Sequence, residues 1–66
     1  MNATTLDEMD DKAMWMAYKV GVGIAKMTDD HGRIIECRSR MNRGTSGKLF
    51  TTFWYVDGKR TARAKI

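Results

Sequence analysis

Residues 49–66 read LFTTFWYVDGKRTARAKI, and this segment decides the fold. The stretch from Leu49 to Val56 is almost wholly β-branched or aromatic, which is the composition that strands favour. Asp57-Gly58 follows directly and is the strongest short-range signal for a two-residue hairpin turn. The segment therefore predicts a β-hairpin whose strands cover residues 49–56 and 59–66.

The two-residue turn also predicts which side chains share a face, since directly opposed residues of an antiparallel pair point to the same side of the sheet. In this register Val56 lies opposite Lys59, and Trp54 lies opposite Thr61. We expect one face to form the core, with Leu49, Thr51, Phe53, Tyr55, Ala62, Ala64 and Ile66. The other face is expected to lie open to solvent, with Phe50, Thr52, Trp54, Val56, Lys59, Thr61, Arg63 and Lys65.

A second strand is predicted upstream of the hairpin, over residues 33–41, after a polar turn at 28–32. Its side chains alternate, so that Cys37 falls on the core side and Arg38 and Arg40 join the predicted open face. Because Cys37 is the only cysteine, we expect it to be a reduced thiol that acts as a small buried hydrophobe.

An amphipathic helix is predicted near the N-terminus. Thr5, followed three residues later by Glu8, matches the capping-box pattern, so we expect the helix to begin at Thr5. Apolar residues then recur at spacings of three and four and would cover the sheet. They are Leu6, Met9, Ala13, Met16 and Ala17.

Residues 18–27 allow two interpretations. Heptad-like spacing continues through Met27, which favours one long helix. Gly21 and Gly23 oppose this, because each glycine costs about 1 kcal/mol relative to alanine inside a helix. The stretch also alternates as a strand, with both glycines on the open face, where a ligand backbone could approach closely. We favour the strand and keep the helix as the alternative.

The whole chain, residues 1–66, is predicted to form one α+β domain in which an N-terminal helix packs on a three- to four-stranded antiparallel meander. A small β-barrel is the alternative, since the two glycines would let the first strand bend and close. A domain of this length buries only a small core, so association as a homodimer is one expected source of stability.

Composition excludes several classes of function. One cysteine and one histidine cannot form an internal disulfide or supply the four ligands of a structural zinc site. We expect no enzymatic activity, no catalytic residues, no metal and no cofactor, because Cys37 has no convincing base for nucleophilic catalysis. The absence of an 18-residue apolar run and of a signal-peptide pattern predicts a cytoplasmic protein without a membrane partner.

The charge is divided between two halves of the chain. Residues 1–32 carry a net charge of −3, and residues 33–66 carry +7, interleaved with aromatic residues. Basic groups among aromatic side chains on a sheet are one way to bind nucleic acid. We therefore expect a small accessory or regulatory protein that binds DNA or RNA. The residues predicted to bind are Arg38, Arg40, Arg43, Lys48, Phe50, Trp54, Lys59, Arg63 and Lys65.

Within this predicted site, Trp54 and Phe50 would stack on bases, and the basic residues would contact phosphates. The alternative is a compact inhibitor that binds another protein, such as a viral or plasmid product directed at a host nucleic-acid machine. In that case the exposed aromatic side chains would form the partner interface, and the two-signed surface would supply electrostatic complementarity.

The hairpin over residues 53–60 resembles the sheet hairpin in the arm-site DNA-binding domain of tyrosine recombinases, which implies entry of a sheet into the major groove. Here the helix precedes the sheet instead of following it. The order of one helix and three strands is similar to that of a double-stranded RNA-binding domain, but the final helix and its basic signature are missing. We assign the chain to neither family.

Overall fold

The computed structural model describes residues 3–42 and 49–66, which form one helix packed on an open antiparallel sheet. The predicted α+β fold is confirmed, and the barrel alternative is wrong because the sheet does not close. The strands follow one another in the sheet in chain order, β1-β2-β3-β4. The elements are α1 (Ala3–Val20), β1 (Val22–Thr28), β2 (Ile34–Met41), β3 (Phe50–Val56), β4 (Lys59–Arg60) and a 3-10 turn (Arg63–Lys65).

The helix α1 begins at Ala3, two residues before the expected start. Thr5 therefore lies inside the first turn and does not cap the helix. The predicted apolar face is buried at four of its five positions, and Met16 is the exception, with 45% of its surface exposed. The buried positions are Leu6, Met9, Ala13 and Ala17.

Gly21 ends the helix and divides residues 18–27 between the two predicted structures. Its φ of 95° is a left-handed conformation that favours glycine, and its N–H donates to the Ala17 carbonyl at 2.7 Å. The strand β1 then begins at Val22. The strand prediction is therefore right from residue 22 onward and wrong for Tyr18 to Val20, and a single helix through Met27 is also wrong.

Gly23 faces the helix, so the expectation that it lies on the open face is wrong. A Cβ atom at this position would lie 2.9 Å from the Ala17 nitrogen and closer still to the Ala13 carbonyl oxygen. Ala13 and Ala17 are completely buried. The small residues on both elements thus let the backbone of α1 rest directly on β1.

The predicted pleat of the hairpin is inverted in the structure. Ala25, Cys37 and Trp54 lie side by side across β1, β2 and β3, and all three are buried against the helix. The core placement of Cys37 is confirmed, and burial raises the pKa of its thiol to about 12, with the nearby Asp10 adding to the increase. Trp54 therefore belongs to the core, and its neighbours Phe53 and Tyr55 point to the other side.

The hairpin register at the turn is as predicted, with Val56 opposite Lys59. Asp57 and Gly58 have φ values of 51° and 83°, as a type I′ turn requires. The Thr61 N–H still donates to the Trp54 carbonyl at 2.9 Å, but β4 itself covers only Lys59–Arg60. The predicted strand to residue 66 is therefore wrong, because the chain turns into the 3-10 segment.

Asp29 organises the turn between β1 and β2. Its Oδ1 accepts hydrogen bonds from the backbone N–H groups of His31 and Arg33, at 2.9 and 2.8 Å. Its Oδ2 accepts from the Arg33 Nε at 2.7 Å. The carboxylate therefore accepts hydrogen bonds from N–H groups in place of backbone carbonyl acceptors, as is typical of Asp in turns.

We predict that Gly23→Ala destabilises the domain, because the added methyl group would meet helix backbone that cannot move independently. The expected loss is about 3 kcal/mol of unfolding free energy, at the upper end of overpacking effects. Gly32→Ala serves as the control for backbone strain alone, since Gly32, unlike Gly23, has a positive φ, of 77°, and has no atom within 4 Å of an added Cβ. Urea unfolding should show a smaller loss for Gly32→Ala, of about 1 to 2 kcal/mol. Equal losses would contradict the close helix contact.

Candidate nucleic-acid interface

The side of the sheet opposite α1 forms a surface that we call the open face. Cross-strand partners share a face, so the register defines its members. It holds Val22, Ile24, Lys26, Thr28, Ile34, Glu36, Arg38, Arg40, Thr51, Phe53, Tyr55 and Arg60. Its four cations and one carboxylate give a net charge of +3.

Three cross-strand rows place these charges at regular intervals. Along β2 the rows are centred on Arg40, Arg38 and Glu36. Residues two apart on a strand are about 6.6 to 6.8 Å apart, so the rows form a ladder of that spacing. Lys26 and Arg60 stand at the two ends of the Glu36 row.

Glu36 is nearly buried although it lies on the open face. It pairs with the Lys26 Nζ at 3.3 Å and accepts a hydrogen bond from the Arg38 Nε. Burial raises the pKa of this carboxyl, but the hydrogen bonds from Arg38 and Lys26 outweigh burial and leave the pKa below its ordinary value. Glu36 therefore remains ionised and fixes the positions of two of the four cations.

Two arginines lie over aromatic rings of β3. The guanidinium carbon of Arg38 is 4.8 Å from the centroid of the Tyr55 ring, and that of Arg60 is 4.1 Å from the centroid of the Phe53 ring. Both distances suit cation–π attraction. The rings are half-buried beneath these cations, so each arginine is held in place at the surface.

Arg40 differs from the other three cations, because within residues 3–42 and 49–66 it has neither an ion pair nor a contact with an aromatic ring. Arg60 also has no ion pair in this part of the chain, but it lies over the Phe53 ring. It is exposed and lines a shallow depression of about 360 Å³ together with Val22, Ile24 and Phe53. No described carboxylate has to be displaced before Arg40 can meet an anion.

The predicted binding residues divide between the two sides of the sheet. Arg38 and Arg40 lie on the open face as expected. Trp54 and Phe50 lie on the helix side, and Trp54 is only 7% exposed, so its expected exposure to a base is wrong. Lys59 is exposed opposite Val56, also on the helix side. The other two predicted binding residues of this stretch of the chain, Arg43 and Lys48, lie outside the described residues.

Arg63 also lies on the helix side, where it joins the C-terminal segment to α1. Its guanidinium pairs with Asp7, lies 3.9 Å from the Asp10 carboxylate and stands 5.6 Å from the centroid of Trp54. Burial raises the pKa of Asp10, partly offset by Arg63. Arg63 is therefore a structural contact, whereas Lys65 in the 3-10 turn is exposed.

Sequence reasoning missed four residues of the open face. Phe53 and Tyr55 were expected in the core, and Lys26 and Arg60 were not singled out. The signal that identifies them is the pairing of Cys37 with Trp54, because two apolar residues that face each other across β2 and β3 mark the buried side.

The chain matches no protein-family model, and no curated protein or solved structure is significantly similar to it. No relative therefore indicates a function. The helix α1 contains six charged residues, and no helix in the described part of the chain combines the length and apolarity needed to cross a membrane.

We predict that Arg63→Met destabilises the domain by roughly 1 to 2 kcal/mol, through the loss of ion pairing and of the cation–π contact with Trp54. Lys65→Met removes the same charge from an exposed neighbour and should leave the unfolding free energy within about 0.5 kcal/mol of the wild type. Thermal and urea unfolding of both variants measure the difference. Equal stability of the two variants would contradict the structural role of Arg63.

The domain should lose stability as the pH falls below about 4.5, because protonation then begins to neutralise the carboxylates of Glu36 and Asp29. Both pKa values lie below normal in the folded state. Hydrogen bonds to Arg33 and His31 outweigh burial for Asp29, as those to Arg38 and Lys26 do for Glu36. Their stabilisation is therefore present above the unfolded pKa and disappears as the pH falls through the folded value. Asp10 has the opposite sign, since its raised pKa favours folding at lower pH.

Urea titrations between pH 6 and pH 3 test this dependence. Glu36→Gln should flatten the curve of unfolding free energy against pH. Lys26→Met removes one of the two partners of Glu36 and should flatten the curve less. A Glu36→Gln variant that retains the wild-type pH dependence would contradict the role given to this carboxylate.

Proposed function

We propose that this protein binds nucleic acid through the open face of its sheet, in an accessory or regulatory role. The observation that supports this most is the difference in charge between the open face and the helix. The open face carries a net charge of +3 around two aromatic rings, and the helix on the opposite side carries four carboxylates and two lysines, a net charge of −2. Such a basic stripe on one face is the electrostatic pattern of nucleic-acid-binding domains.

Phosphate binding rests on Arg38, Arg40 and Arg60. A guanidinium presents several N–H donors in a fixed fork and binds phosphate oxygens in a bidentate manner. Among the described residues Arg40 contacts neither a carboxylate nor an aromatic ring, so we expect it to make the first contact. Each phosphate that a cation neutralises releases condensed counterions, which makes the affinity depend on salt.

Base contacts are expected at Tyr55 and Phe53, in place of Trp54. A nucleobase stacks on an arginine guanidinium as well as on an aromatic ring. Arg38 and Arg60 already lie over these rings, so a base can extend the same stack. Stacking of this kind tolerates many sequences, and we therefore propose weak sequence preference.

The test is a salt titration of binding to labelled single-stranded DNA, single-stranded RNA and duplex DNA, followed by fluorescence anisotropy. Arg40→Gln should weaken binding to each ligand that the wild type binds and should reduce the slope of log K against log [salt]. The expected reduction is about 0.7 on single strands and about 0.9 on the duplex. Lys12→Gln removes the same charge from an exposed position on α1 and is the matched control.

Tyr55→Leu separates stacking from charge, because it removes a ring without removing a cation. It should weaken binding by about 1 to 3 kcal/mol and leave the salt slope nearly unchanged. A wild-type protein without salt-dependent binding to any of the three ligands at low ionic strength would refute the proposed function. So would equal effects of Arg40→Gln and Lys12→Gln.

Binding of another protein is the second candidate function, and the exposed apolar side chains on α1 and just before β3 favour it. Trp15, Tyr18, Val20 and Leu49 are each between 63 and 71% exposed. Exposed aromatic and apolar side chains of this kind often form protein interfaces. If the wild-type protein binds none of the three nucleic acids, we would instead assign it as a compact protein-binding inhibitor.

A further inference from the structure

A cavity of about 380 Å³ that is open to solvent lies between α1 and the start of β3, on the helix side of the sheet and apart from the open face. In the described part of the chain, three aromatic residues, one methionine and one carboxylate line it. They are Asp11, Met14, Trp15, Tyr18 and Phe50. The helical members follow a spacing of three and four residues, so they form one stripe along α1.

The aromatic rings meet at a corner. The Trp15 and Tyr18 ring centroids are 6.0 Å apart, and the planes of the two rings are inclined at 82°. Both side chains are mostly exposed although they are large and apolar. These two side chains therefore do not belong to the core. Phe50 supplies a third ring to the cavity, from the sheet.

The chemistry of the lining selects a cation. The face of an aromatic ring carries partial negative charge and attracts cations within about 6 Å of its centroid. Among residues 3–42 and 49–66, Asp11 is the one charged residue that lines the cavity, and its carboxylate adds to this attraction. The same lining repels phosphate, so this site and the open face prefer ligands of opposite charge.

We propose that this cavity binds a quaternary ammonium group, carried either by a small molecule such as choline or by a trimethylated lysine side chain. A primary ammonium has three N–H donors that require acceptors, and it is strongly hydrated. A quaternary ammonium has no N–H group and needs only aromatic and anionic surroundings. The three rings and one carboxylate described for this cavity supply the aromatic and anionic surroundings that a quaternary ammonium needs. This inference does not depend on nucleic-acid binding.

The test uses the full chain and the two indole N–H signals in its proton–nitrogen NMR spectrum. Choline and its neutral isostere 3,3-dimethyl-1-butanol are titrated separately. Choline should shift the Trp15 signal in a saturable manner and bind roughly 2- to 30-fold more tightly than the isostere. The signal of the buried Trp54 serves as an internal reference and should move little.

Two variants and a control identify the lining residues as the site. Trp15→Ala should abolish the binding of choline, as read from the backbone amide signals of Tyr18 and its neighbours. Asp11→Asn should weaken it several-fold. Glu8→Gln neutralises an exposed carboxylate of the same helix that does not line the cavity, and should leave choline affinity unchanged. Amide spectra that otherwise match the wild type show that the variants are folded.

A peptide with trimethyllysine, compared with its unmethylated form, distinguishes the two sources of the cation. Tighter binding of the methylated peptide than of choline assigns a protein ligand, and the reverse assigns a small molecule. Equal affinity for choline and its neutral isostere would overturn the proposal, as would the absence of a saturable Trp15 shift. Arg40→Gln should retain wild-type choline affinity, so failure of this site and failure of the open face are measured separately.

Discussion

The contact between α1 and β1 at Gly23 is the constraint on which the rest of the structure depends. With no side chain at Gly23, the helix backbone at Ala13 and Ala17 rests directly on the strand. The helix contacts β1 and β2 broadly and β3 much less. On β3 the large side chain of Trp54 completes the core on the helix side, and Arg63 lies over its ring.

The position of Trp54 then decides which aromatic rings face outward. Because side chains alternate along a strand, burial of Trp54 turns Phe53 and Tyr55 to the opposite side. There they meet Arg60 and Arg38. The side of the sheet to which Trp54 points therefore determines both which residues form the core and which form the basic surface. The two cannot be altered independently.

The turn of the hairpin could be predicted from sequence, whereas its orientation could not. Asp57-Gly58 adopts positive φ values that few other pairs tolerate, so the turn is determined locally. Both faces of residues 49–56 carry large apolar side chains, so that their alternation gives no preference for either side. Only the pairing of Trp54 with Cys37 on another strand distinguishes the faces, and that is a nonlocal contact. The ion pair of Arg63 could not be predicted for the same reason, because its partner Asp7 lies 56 residues away.

The strands lie in the sheet in the same order as in the chain, and this order bears on how the domain assembles. Each strand pairs with its predecessor in sequence, and a single residue, Gly21, links α1 to β1. Contact order is therefore low for most of the sheet, and low contact order is associated with rapid folding. The pairing of Arg63 with Asp7 is the exception, since it closes a loop of nearly the whole chain. The contacts of the N-terminal helix with β1 and of β1 with β2 are thus local, whereas the contact that secures the C-terminal residues joins the two ends of the chain.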